Sequence, residues 1–153
     1  MTSSRLLTIA LVVAGYLVAV CVAVVVTVAL ILAPSALPDG GARGSFFALL
    51  RELPAFLIIG FVWTVSCALP GFIVAILLGE SLRWDRWRDY AIAGLVNAVP
   101  SLAVFAIFVG SPFEMPSMVV ASFPGGFAGG AAYWFTAGRL VAGRRGFARA
   151  DAV

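Results

Sequence analysis

Four apolar blocks, each long enough to cross a bilayer as a helix and separated by short polar links, constrain this chain more than anything else in it. They run over about 6–33, 54–78, 90–109 and 118–141. A bilayer core about 30 Å thick takes about 20 helical residues. In hydrocarbon each backbone amide and carbonyl must be satisfied within the protein, so an apolar run of this length reads as a helix. The expected fold is therefore all-α: a polytopic membrane protein with four transmembrane helices, forming a single transmembrane domain over 1–153. Composition agrees, since 63% of residues are hydrophobic and 11% charged, against about 25% charged in a soluble domain.

The first block carries no charge and is about twice the length of a signal-peptide core, which predicts a retained helix. The Ala33-Pro34-Ser35-Ala36 stretch that follows is also compatible with signal cleavage. Gly15, Ala19 and Ala23 recur every four residues, a small-residue stripe on which a second helix can close, although Ala and Gly are common throughout the chain. After a turn-rich link at 34–41, Phe46, Leu50 and Leu53 share a helical face beside Arg43, Arg51 and Glu52. That pattern suits either a short interfacial helix over 45–53 or a helix end protruding among headgroups. The second block contains Thr64, Ser66 and Cys67, with Pro70-Gly71 as a predicted kink that in a transporter would line a substrate path. Cys21 and Cys67 both lie inside apolar stretches and read as small buried hydrophobes, not as a disulfide or ligand pair.

The link at 79–89 holds Arg83, Arg86 and Arg88 against Glu80, Asp85 and Asp89. Trp84, Trp87 and Tyr90 recur every three residues, as on one side of a helical turn. These six residues, Trp84, Trp87, Tyr90, Arg83, Arg86 and Arg88, are expected to anchor the chain at the membrane interface. The same aromatic and arginine pattern can stack nucleic-acid bases, but the membrane border explains it with fewer assumptions, and no nucleic-acid partner is expected. The third block places Asn97, Pro100 and Ser101 near mid-membrane. An Asn amide needs a partner away from lipid, so Asn97 is expected to face another helix, as a packing bond or as the lining of a path. In the fourth block Gly125, Gly126, Gly129 and Gly130 form two overlapping GxxxG spacings that suit close helix approach, within the chain or between chains.

All ten basic residues are arginine, a composition suggestive of a GC-rich bacterial genome. Arg5, Arg83, Arg86, Arg88, Arg139, Arg144, Arg145 and Arg149 flank one side of the four-span layout, and only Arg43 and Arg51 the other. The positive-inside rule then places both termini, the 79–89 loop and the 142–153 tail in the cytoplasm. With no histidine in the chain, imidazole catalysis, histidine-ligated metal and histidine pH switching are excluded. No Asp, Glu, Arg or Lys falls near the middle of a block, and Ser66 has no His or Lys to activate it. No catalytic residue, cofactor site or metal site is expected.

The stretch from Gly125 through Gly129-Gly130, Tyr133-Trp134-Phe135 to Ala137-Gly138-Arg139 resembles the final helix of small uncharacterised four-helix inner-membrane proteins of alphaproteobacteria. The resemblance implies a location and an architecture and no active residues. The functional expectation is a structural or accessory membrane protein, packing as a homo-oligomer or against a partner complex. The alternatives are an oligomeric pore or small-solute transporter lined by the third helix, and a membrane enzyme.

Overall fold

A computed structural model describes residues 2–33, 43–82, 84, 86–108 and 116–140 of the chain. The 34–41 link, most of the third loop, the 142–153 tail, Arg83 and Asp85 lie outside the described residues. Helix α1 spans Thr2–Leu32, α2 Arg43–Ser81, α3 Trp87–Phe108 and α4 Pro116–Tyr133, and α4 runs on into a π-helical turn, Trp134–Gly138. The fold is all-α, with no strand among the described residues.

Among the described residues three segments are long and apolar enough to cross a membrane: Leu6–Leu32, Arg51–Gly79 and Trp87–Phe108. The fourth helix is shorter, at 18 residues, and its composition sets it apart. It is built from Gly, Ala, Ser and Pro, and it packs more closely on α1 and α3 than any other pair of helices packs. A helix enclosed by its neighbours needs small side chains that admit backbones, whereas one facing lipid needs bulk. The helices close into a ring in the order α1, α2, α3, α4, with α2 the loosest member.

The distribution of side-chain size is that of a protein dissolved in lipid. The buried hydrophobic set is dominated by Ala19, Ala91, Ala98, Ala121 and Ala137, together with Tyr16, Val20, Val24, Cys67 and Tyr133. Leu6, Ile58, Ile107, Phe108 and Val120 are exposed. In water this arrangement would squander the hydrophobic effect, but hydrocarbon solvates Leu and Ile as well as a protein core does.

Two points are decided. Of the two readings of 45–53 the structure has the extended helix end and no separate interfacial helix: α2 is continuous from Arg43 to Ser81, through both Pro54 and Pro70. Each proline removes one amide and leaves the hydrogen bonds on either side intact. At 39 residues α2 is about 58 Å long, nearly twice the bilayer core, so part of it extends past the hydrocarbon. The second is a correction: Trp84, Trp87 and Tyr90 do not share a helical face. Helix α2 ends where the amides of Leu82 and Trp84 donate to the carbonyls of Leu78 and Gly79, at 2.8 and 3.0 Å. Trp84 is therefore outside any helix, and α3 begins only at Trp87.

Candidate functional site

The fourth helix organises the bundle. A Cβ on Gly129 would stand 2.9 Å from the Ala19 carbonyl oxygen and 3.1 Å from the Ala23 Cβ. One on Gly125 would meet the Thr27 hydroxyl and the Ala23 carbonyl, and one on Gly15 would meet Ala137 and the Tyr133 ring. The Gly15, Ala19, Ala23 stripe of α1 is thus the counterpart of the Gly125, Gly129 register. The Gly126, Gly130 register faces the other way, onto the carbonyl oxygens of Gly94 and Tyr90 in α3. Both glycine registers are occupied within the chain.

Around Pro70 in α2, neighbouring helices bring polar side chains to carbonyls on either side of the one that proline leaves without its amide donor. Proline has no amide to donate to the Ser66 carbonyl, and its ring crowds the preceding turn. From α1 the Tyr16 hydroxyl donates to the Val65 carbonyl at 2.7 Å, and from α3 the Asn97 Nδ2 donates to the Ala68 carbonyl at 3.2 Å. Gly71 makes the second bond possible, because a Cβ there would collide with Oδ1 and Cγ of Asn97. Asn97 Oδ1 is buried with no hydrogen-bond partner. Sequence reasoning singled out Asn97 and Pro70-Gly71 separately; it missed Tyr16, whose signal was a phenol tip in the middle of an otherwise aliphatic block. Tyr16→Phe keeps the ring, which stacks on Phe72 with centroids 4.3 Å apart, and removes only the hydroxyl. It is expected to cost about 1 kcal/mol in thermal unfolding of the detergent-solubilised protein.

Between these contacts the four helices line a partly open cavity of about 560 Å³, whose rim includes the exposed Phe56, Ile59 and Trp63 of α2. Its wall is apolar apart from Tyr residues and a few groups that include Thr27, Thr64, Asn97, Ser101 and Ser122. Among the described residues no charged side chain is buried. Cys67 lies in the wall, while Cys21 points outward from α1, so only Cys67 is buried in protein. Both thiols are free.

From the cavity a chain of rings leads toward the 79–89 link. Phe72 meets Tyr133 at 5.2 Å, Tyr133 meets Tyr90 at 5.6 Å, and Tyr90 meets Trp134 at 5.3 Å and Trp84 at 5.7 Å. Tyr90 is therefore an inward-facing packing residue. Trp87 lies on the surface, edge-on to Phe127 at 6.3 Å, with the Arg88 guanidinium 6.0 Å from a Trp87 ring centroid. Arg86 and Arg88 are exposed.

Fold and site together define a helical membrane protein: a four-helix bundle with small residues inside, large aliphatic residues outside and an uncharged, partly open cavity between the helices. Comparison with protein-family models, curated proteins and solved structures found no match.

Proposed function

We propose that the chain is a structural or accessory protein of the bacterial inner membrane. It is multi-pass, with both termini in the cytoplasm, and it packs against itself or a partner membrane complex without performing catalysis. The observation that carries this reading is the use made of the interior polar side chains. Tyr16, Thr27 and Asn97 each donate to a backbone carbonyl of a neighbouring helix, Thr27 reaching Ala121 at 3.4 Å. Such bonds join α1 to α2, α1 to α4 and α3 to α2, the role polar groups most often take between membrane helices.

The same geometry argues against a pore lined by α3 in an oligomer. Asn97 turns toward α2 and the chain's own cavity, whereas Ile92, Val96 and Val99 are among the exposed residues of α3. Since both glycine registers are occupied internally, a protein partner engages an outward face, above all that of α2, of which least is buried.

Gentle extraction of tagged protein at native expression level, followed by mass spectrometry of the intact particle, tests the proposal. A stoichiometric membrane partner or a defined homo-oligomer is the expected result. A monomer with no partner in both detergent and nanodisc would overturn it.

A further inference from the structure

We infer that the central cavity is a binding site for a neutral, membrane-soluble alcohol: an apolar chain ending in a hydroxyl group, held with that hydroxyl donating to the cavity wall.

Three features of the wall select this class. Its volume of about 560 Å³ lies within the roughly 300–1,000 Å³ of small-molecule sites. Its lining comes from all four helices and includes no Asp, Glu, Lys or Arg, so a charged occupant would have no counter-ion. The third feature is the direction of the hydrogen bonds. Ser101 Oγ donates to the Asn97 carbonyl at 2.8 Å and Ser122 Oγ to the Met118 carbonyl at 2.7 Å. Tyr16 and Thr27, also in the wall, donate to Val65 and Ala121. A hydroxyl has one proton and two lone pairs, so each of these groups has committed its proton and keeps accepting capacity. To an occupant these four groups present acceptors, and so does Asn97 Oδ1, which lies in the same wall buried and without a hydrogen-bond partner. The wall also holds donors, the Thr64 hydroxyl and the second Nδ2 proton of Asn97, but only a ligand that itself donates satisfies Oδ1, and a hydroxyl does so where a carbonyl or ether cannot. Since the surrounding solvent is lipid, the occupant comes from the bilayer, and fatty alcohols, isoprenoid alcohols and diacylglycerols share the required end group.

The test is photolabelling of the full-length protein in nanodiscs with a long-chain alcohol carrying a diazirine in its chain, followed by peptide mapping. Saturable labelling of cavity residues is expected, competed by the unlabelled alcohol and at least about fivefold less well by its methyl ether, which lacks only the donor. Competition by an isoprenoid alcohol and by a diacylglycerol, run as parallel arms, identifies which source fits. Ala93→Phe, which fills the cavity, should abolish the labelling. Ser101→Ala with Ser122→Ala, which leaves packing nearly unchanged, should narrow the gap between alcohol and ether even where the bulky variant does not fold. Equal competition by alcohol and ether, or labelling confined to the outward residues of α2, would overturn the inference.

Discussion

Gly130→Ala is expected to destabilise the bundle, and the sign of the effect matters more than its size. Alanine is the better helix former, so in a helix whose glycine faces open space the exchange stabilises by up to about 1 kcal/mol. At Gly130 the new methyl group would run into the Tyr90 carbonyl oxygen, with Ala91 Cα at 3.0 Å behind it. Neither atom belongs to a side chain that can swing away, so α3 and α4 must separate along the seam. Separation forfeits the contacts at Gly94 and Gly126 as well, where each backbone carbonyl faces the other glycine. The expected cost is about 1–3 kcal/mol for alanine and more for isoleucine, read as a lower unfolding midpoint and a lost disulfide crosslink between cysteines placed on α3 and α4. Gly60→Ala is the control: its Cβ would stand 3.3 Å from Val24 Cγ1, a side-chain methyl that need give by only a few tenths of an ångström, and its effect should lie within about 0.5 kcal/mol of zero. A stabilising Gly130→Ala would show that the seam is not closed.

How far these features were legible in the sequence depended on whether they are local. Helix formation follows from local chemistry, because apolar runs in lipid leave the backbone no other way to satisfy itself, and all four blocks are helical. The GxxxG spacings marked a surface for close approach, but which helix approaches is a property of the folded bundle. Gly125 and Gly126 are neighbours in sequence and face opposite partners, a division that 100° of helical rotation imposes and that no spacing rule announces. The full length of α2 was left open because 45–53 reads equally as a separate interfacial helix and as a protruding helix end, and Pro54 does not separate the two: inside a membrane helix it is a single missing bond. Trp84, Trp87 and Tyr90 were misread for the converse reason: a periodicity of three residues means a helical face only if the segment is a helix, and the turn after Ser81 breaks it. The cavity could not be anticipated, because it is the space left over when α2 packs less closely than its neighbours.

The contact between Gly71 and Asn97 leads to a prediction in which one change relieves the damage done by another. Gly71→Ala places a methyl group on Asn97 Oδ1, driving the amide off the Ala68 carbonyl, at an expected cost of about 1–3 kcal/mol. Asn97→Ala removes the same 3.2 Å bond, and hydrogen bonds between membrane helices average only about 0.6 kcal/mol. It also removes Oδ1, whose burial without a partner opposes folding by about 1–3 kcal/mol. The single Asn97→Ala change is therefore expected to range from near neutral to stabilising by about 2 kcal/mol. In the double variant the alanine at 71 meets open space, and the protein should be more stable than Gly71→Ala alone by at least about 1 kcal/mol beyond the effect of Asn97→Ala itself, a coupling of the size found for residues in direct contact. Unfolding midpoints of the four proteins measure it. Additive effects would mean that the Asn97 amide does not lie in the notch that Gly71 leaves, and the hydrogen bond to Ala68 would fall with it. Positive coupling would establish that the Pro70-Gly71 step is a built receptor for an α3 side chain, in which the proline interrupts the ladder of α2 and the glycine admits the group that bonds beside the gap.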